Sequence, residues 1–245
     1  MDFYVGLHIP AHAHQFRRSM VSVNRLRNRK SDFAVQDWIL DSGAFTEVSR
    51  HGGFRTPVEA YADQVHRWSR CGRMRAAVAQ DYMCEPFVLA RTGHTVEEHQ
   101  LLTINRYREL RARSPSAYIM PVLQGWHPAD YARHVHEYGT LLRPKMWVGV
   151  GSICRRNAKP EVIESILLAI SSVRSDLRLH AFGLKLTALS RGLVRKLLAS
   201  ADSMAWSHAA RWQGRSPNNS AEAHRFVDRI ETQEVQQALN LPYAA

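Results

Sequence analysis

Short apolar runs alternate with longer stretches of helical period along most of this chain, and few architectures accommodate that rhythm. FYVGL (3–7), DWIL (37–40), RAAVAQ (75–80), YIMPVL (118–123), KMWVGVG (145–151) and LHAFGLK (179–185) read as strands, with a short one at SMAW (203–206). Helix starts stand between them. Thr56 and Pro57 precede VEAYADQVHRWSR, Thr95 precedes VEEHQLLTINRYRELRAR, and Pro128 precedes ADYARHVHEYGTLL. TPVE and TVEE both carry capping-box spacing. Further helices are expected over Pro160–Val173, over Ser190–Ser200 and from Ser220 towards Leu239, and RWQGRSPNNS (211–220) reads as a loop.

Some seven β-then-α units without an obvious hairpin predict a parallel α/β sheet, closed into a barrel or left open. No GxGxxG or GxxxxGK[ST] follows the first strand, which weakens the dinucleotide-binding and P-loop versions of an open sheet. At 245 residues the chain matches the ~250 typical of a (β/α)8 barrel. No linker, repeat or shift of composition divides it, so a single domain over 1–245 is expected.

With 45% hydrophobic and 22% charged residues, disorder, collagen and coiled coil are excluded as overall descriptions. No apolar run reaches the ~20 residues of a membrane span. The opening MDFYVGLHIPAHAHQF lacks a basic stretch followed by an apolar one, so a cytoplasmic location and no membrane partner are expected. Lys and Arg number 33 against 22 Asp and Glu, a net charge of +11 that favours a polyanionic partner. The three cysteines, Cys71, Cys84 and Cys154, are widely separated and form neither a disulfide framework nor a metal knuckle.

In a parallel barrel the chemistry sits at the C-terminal ends of the strands. Asp41, Ser42, Gly43, Ala44 and Phe45 follow WIL, and Asp81 and Tyr82 follow AAVAQ. Gln124 follows IMPVL, Gly151 and Ser152 follow WVGV, Lys185 follows HAFGL, and Asp202 borders the last run. Any one such Asp can be a turn or cap residue, and Gly43 can serve a positive φ. Together, three carboxylates and a carboxamide would converge on one mouth, where burying like charges is costly unless a reaction uses them. There is no GxSxG elbow, HExxH or Cys/His cluster. Two carboxylates suit displacement at an anomeric carbon. An Asp with a Gln suits a purine edge, since guanine offers N1–H and an amine to a carboxylate and O6 to an amide N–H.

LDSGAF (40–45), AQDYMCEP (79–86), VLQGW (122–126), VGVGSIC (148–154), HAFGLK (180–185) and ADSMAWS (201–207), in that order, resemble the queuine/archaeosine tRNA-guanine transglycosylase superfamily. The resemblance runs from about Val5 to Arg215 and is strongest to its compact DpdA-like branch, from phages and bacterial modification islands, which inserts 7-deazaguanines into DNA. It implies an irregular TIM-like barrel in which Asp202 is the nucleophile at C1′ and Asp41 the general acid/base. Asp81 and Gln124 would read the base, Gly151 and Ser152 would contribute from the glycine turn, and Phe45 and Tyr82 would sandwich the heterocycle. Lys185, Arg155, Arg156, Arg211 and Arg215 would meet phosphates.

The chain departs from the tRNA enzymes after the nucleophile. Their CxCxxC…H zinc subdomain has no counterpart, because no cysteine follows Cys154. No zinc or other cofactor is therefore expected, a 7-deazaguanine such as preQ0 serving as co-substrate. The expectation is a pentosyltransferase exchanging guanine in DNA. The alternatives are tRNA-guanine exchange and a noncatalytic nucleic-acid-binding subunit on the same barrel.

Overall fold

The computed structural model describes residues 1–239. Nine strands form one all-parallel sheet in the order β5-β4-β3-β2-β1-β9-β8-β7-β6. They are β1 (Asp2–Leu7), β2 (Arg18–Ser22), β3 (Asp37–Asp41), β4 (Arg73–Val78), β5 (Ile119–Met120), β6 (Val122–Leu123), β7 (Trp147–Val150), β8 (Arg178–Ala181) and β9 (Leu198–Ser203). The two ends of that order, β5 and β6, are neighbours in sequence on either side of Pro121. The sheet thus curls into a nearly closed α/β barrel in which β5 and β6 together fill one of eight strand positions.

The seam has a specific cause. Val122 pairs with Gly149, and the Gly149 amide donates to the Pro121 carbonyl at 2.8 Å. A parallel ladder would send the amide of residue 121 to the Trp147 carbonyl, but proline has no N–H. The Tyr118 hydroxyl donates to that carbonyl instead, at 2.5 Å, and accepts the Trp147 amide at 2.9 Å.

The helices are α1 (Ala44–His51), α2 (Val58–Trp68), α3 (Pro86–Thr92), α4 (Val96–Arg113), α5 (Pro128–Tyr138), α6 (Pro160–Val173), α7 (Leu186–Leu189), α8 (Gly192–Leu197), α9 (Ala205–Trp212) and α10 (Ser220–Leu239). Thr95 closes a capping box on α4, its Oγ1 accepting from the Glu98 amide at 3.2 Å while Glu98 accepts from the Thr95 amide at 2.7 Å. TPVE forms no such box, because Pro57 itself is the α2 cap and Glu59 pairs with Arg113. The core is continuous from barrel interior to helices, with Trp38, Ile39, Leu40, Met120, Leu123 and Val150 fully buried.

Several sequence expectations shift. RSMVS (18–22) is a barrel strand that the sequence pattern did not suggest, since only three of its residues are buried and the segment before it is a short 3-10 turn. The LHAFGLK strand stops at Ala181, where Phe182 and Gly183 turn the chain away. SMAW is not a strand. The last barrel strand is Leu198–Ser203, cutting short the helix expected to Ser200, and α9 begins at Ala205 and occupies the start of the expected loop.

Candidate active site

The C-terminal ends of the strands enclose a cavity of about 200 Å³. Asp41 ends β3, Asp81 lies three residues beyond β4, Gln124 directly follows β6, Gly151 directly follows β7, and Asp202 is the penultimate residue of β9. All five line this cavity, with Phe45 and Ser152. Residues far apart in sequence meet because a parallel barrel delivers the end of every strand to the same face.

Asp41 is held by its surroundings on both sides. Ser22 stands opposite it on β2, and its hydroxyl and the amides of Ser42 and Gly43 bond the carboxylate. Burial raises the Asp41 pKa nevertheless, and the charge of Asp202 raises it further. Gly43 adopts φ +73° at the start of α1, the left-handed region where a Cβ is disfavoured, and a Cβ there would also strike the Asn24 side chain at 2.4 Å.

Asp202 accepts from the Gly183 amide at 3.2 Å. The fully buried His180 brings Nε2 to 3.4 Å from the same carboxylate oxygen. Behind it, the Trp147 indole N–H donates to Ser200 Oγ at 2.7 Å, and Ser200 Oγ lies 2.8 Å from His180 Nδ1. An indole nitrogen only donates, so the serine hydrogen is available for Nδ1, and in the tautomer that accepts it the imidazole hydrogen sits on Nε2, on the side of Asp202 but outside hydrogen-bond geometry. His180, inside the predicted strand, was not singled out by the sequence.

Asp81 accepts from Gln124 Nε2. Burial pushes the Asp81 pKa up to about 7, the Gln124 bond opposing and the charge of Asp41 adding to the rise. Gln124 Oε1 lies 2.6 Å from Ser152 Oγ, which also meets Glu85 Oε2 at 2.9 Å and the Cys84 amide at 2.8 Å. Glu85 is 1% exposed and lines the cavity. It too escaped the sequence reading, which took only Asp81 and Tyr82 from AQDYMCEP. Burial raises the Glu85 pKa against the pull of its own amide, Ser152, Arg155 and Arg156.

Other expected residues take different places. Tyr82 does not line the cavity: its ring packs edge-on against Phe54 and His99 in a small side cluster with Val48, Met83 and Val88, and Met83 lines the cavity instead. Gly151 has both backbone groups engaged, its amide with the Leu123 carbonyl and its carbonyl with the Tyr131 hydroxyl. It contributes space rather than a free backbone contact. Lys185 is exposed at the cap of α7, its amide on Asn157, and is no part of the cavity wall.

Arg155 lies 4.6 Å over the Phe87 ring, and Phe87 lies 6.4 Å from Phe45, a row of one cation and two half-exposed rings running into the cavity. Arg156 stacks 3.7 Å over Trp126 and donates to its carbonyl. Arg211 is exposed on α9, whereas Arg215 is paired with Glu222 at 2.6 Å. Among the described residues no group of three or more His, Cys, Asp or Glu side chains could hold a metal, and no helix is long and apolar enough to cross a membrane.

The arrangement can do covalent chemistry at a sugar carbon beside a slot for a planar base. One carboxylate accepts from a backbone amide with an imidazole beside it, a second has a raised pKa suited to carrying a proton, and an acid–amide pair stands across the cavity. No curated protein matches the chain. Residues 1–226, most of its length, match the family DpdA, deoxypurine in DNA protein A, and the chain belongs to that family.

Proposed function

We propose that the protein is a DNA-guanine transglycosylase that exchanges guanine for a 7-deazaguanine base of the preQ0 type. The observation that carries this reading is the convergence of Asp41, Asp81, Gln124 and Asp202 on one cavity, in a family named for deoxypurines in DNA.

Asp202 attacks C1′ of the target deoxyguanosine as the C1′–N9 bond breaks, giving a glycosyl ester. Asp41, whose pKa is raised by burial and by the neighbouring negative charge, gives its proton to N9 of the departing guanine. The incoming base then loses its N9 proton to Asp41 while its nitrogen displaces Asp202 from C1′. Ester and glycosidic bond interconvert, so the exchange needs no nucleotide triphosphate. Asp81 accepts from N1–H and the exocyclic amine, Gln124 donates to O6, and Phe45 covers one face of the ring. A guanine in duplex DNA has to leave the stack to reach this cavity, at a cost of a few kcal/mol. The net charge of +11 helps to hold the strand.

The test is incubation with labelled guanine or preQ0 and separate DNA and tRNA substrates, followed by nucleoside mass spectrometry. Label in DNA supports the reading. Label in tRNA alone transfers the activity to the tRNA reaction, and label in neither leaves a noncatalytic binding protein.

A further inference from the structure

Four acids line the cavity, and the reaction described above uses three of them. Glu85, the fourth, is as buried as any and meets Ser152. The Ser152 hydroxyl has one hydrogen and three polar neighbours: the Cys84 amide, Gln124 Oε1 and Glu85 Oε2. The amide only donates. An amide oxygen only accepts, so with Gln124 Nε2 turned to Asp81 the serine hydrogen belongs to Gln124. Its contact with Glu85 is then a hydrogen bond only if the glutamic acid supplies the hydrogen.

The alternative arrangement is the mirror of this one. If Glu85 is ionised it takes the serine hydrogen, the Gln124 amide turns over to donate to Ser152, and its oxygen needs a proton on Asp81. Each arrangement holds one proton for the pair of acids, but they present opposite hydrogen-bonding faces. A guanine-type edge needs an accepting carboxylate and a donating amide, which only the first provides. With neither acid protonated, Ser152 has one hydrogen for two acceptors, and either Gln124 Oε1 or Glu85 Oε2 faces its oxygen without one.

Ser152 also has φ +54°, a left-handed conformation unusual for a residue with a side chain. Such strain is maintained where surrounding contacts over-determine it, and here three hydrogen-bonding neighbours converge on the hydroxyl.

Resting on the reading of the cavity as a guanine slot, we propose that Glu85 is a positioning residue for base recognition: its carboxyl hydrogen, held on Ser152, fixes the Gln124 amide in the orientation that reads guanine. The ionisable and charged groups coupled to Glu85 are Asp81, Cys84, Tyr131, Cys154, Arg155 and Arg156. The two arginines favour ionisation, while burial and Asp81 oppose it, so the acid titrates above its ordinary range.

The test is equilibrium binding of guanine by calorimetry across the pH range in which Asp81 is ionised and guanine keeps its own N1 proton, for the wild type, Glu85→Gln and Ser152→Ala. Once Glu85 ionises, wild-type affinity is expected to fall about tenfold per pH unit, as for loss of a single required proton. Glu85→Gln supplies a permanent N–H to Ser152 and should bind with a flat profile there, matching the wild type at lower pH. Ser152→Ala should bind more weakly throughout, also with a flat profile, which keeps the test available if Glu85→Gln does not fold. A Glu85→Gln or Ser152→Ala profile that falls in parallel with the wild type overturns the proposal, as does uniform weakening of Glu85→Gln at every pH. Guanine binding without base exchange overturns the proposed function and leaves this inference standing. Absence of guanine binding at any pH overturns both.

Discussion

A Cβ at residue 151 would lie 2.2 Å from Nε2 of Gln124, so the glycine that follows β7 and the amide that follows β6 compete for one volume. Gly151 is there to let Gln124 lie flat across the barrel between Asp81 and Ser152. Changing Gly151 to Ala should therefore push the amide out of line, at about 1–3 kcal/mol of stability for overpacking. Base exchange should fall by on the order of a hundredfold, since misplacement of about 1 Å has that effect in a preorganised site. Thermal melting and exchange kinetics measured on the same preparation check both parts.

Replacing Asp202 by Asn should abolish exchange and the covalent protein–nucleic acid adduct seen by denaturing electrophoresis. An adduct that persists would move the nucleophile to Asp41. Replacing Asp41 by Asn should slow exchange about 10²–10⁴-fold, the range for loss of a general acid. His180→Phe removes the imidazole beside Asp202 and should reduce the rate of adduct formation while leaving guanine affinity within about threefold.

Asp81 gives a pH dependence of defined sign. Its pKa is about 7 in the folded protein and ~3.9 in the unfolded chain. Between those values the folded chain holds a proton that the unfolded chain has lost, so stability declines as pH rises through the window. The full decline is on the order of 4 kcal/mol. Asp81→Asn should consequently melt higher than the wild type at pH 8, with the gap closing towards pH 4. Guanine binding requires the ionised carboxylate, so wild-type affinity should fall below pH 7 and the Asn variant should bind poorly at every pH.

Arg211 and Arg215, four residues apart, should behave differently. Arg211→Ala should weaken DNA binding and lower the slope of log affinity against log salt by about one, leaving stability unchanged. Arg215 is tied to Glu222, which Arg225 also meets, so Arg215→Ala should lower the melting temperature slightly, with a smaller effect on DNA. Filter binding across salt concentrations and thermal melts separate the two.

The positions of the cavity's polar groups were legible in the sequence because a parallel barrel makes the end of a strand a predictable place. Asp41, Asp81, Gln124 and Asp202 all stand at or just past apolar runs, and the structure collects them. Tyr82 failed this logic because residues in the stretch after β4 point alternately into the cavity and away from it, and its ring went to the side cluster. Glu85 and His180 were hidden for another reason. Glu85 stands beside Pro86 and looks like an ordinary helix cap, and His180 sits in mid-strand, where an imidazole is more often a packing residue. Their importance depends on Ser152 and Ser200, 67 and 20 residues away along the chain.

The seam at Pro121 gives the barrel a clasp. Elsewhere around the cylinder adjoining strands are zipped amide to carbonyl, but here the closure borrows a phenol, and that phenol belongs to a partly solvent-exposed tyrosine. The closure therefore rests on a side chain as well as on the short β6–β7 ladder, right beside the stave that carries Gln124.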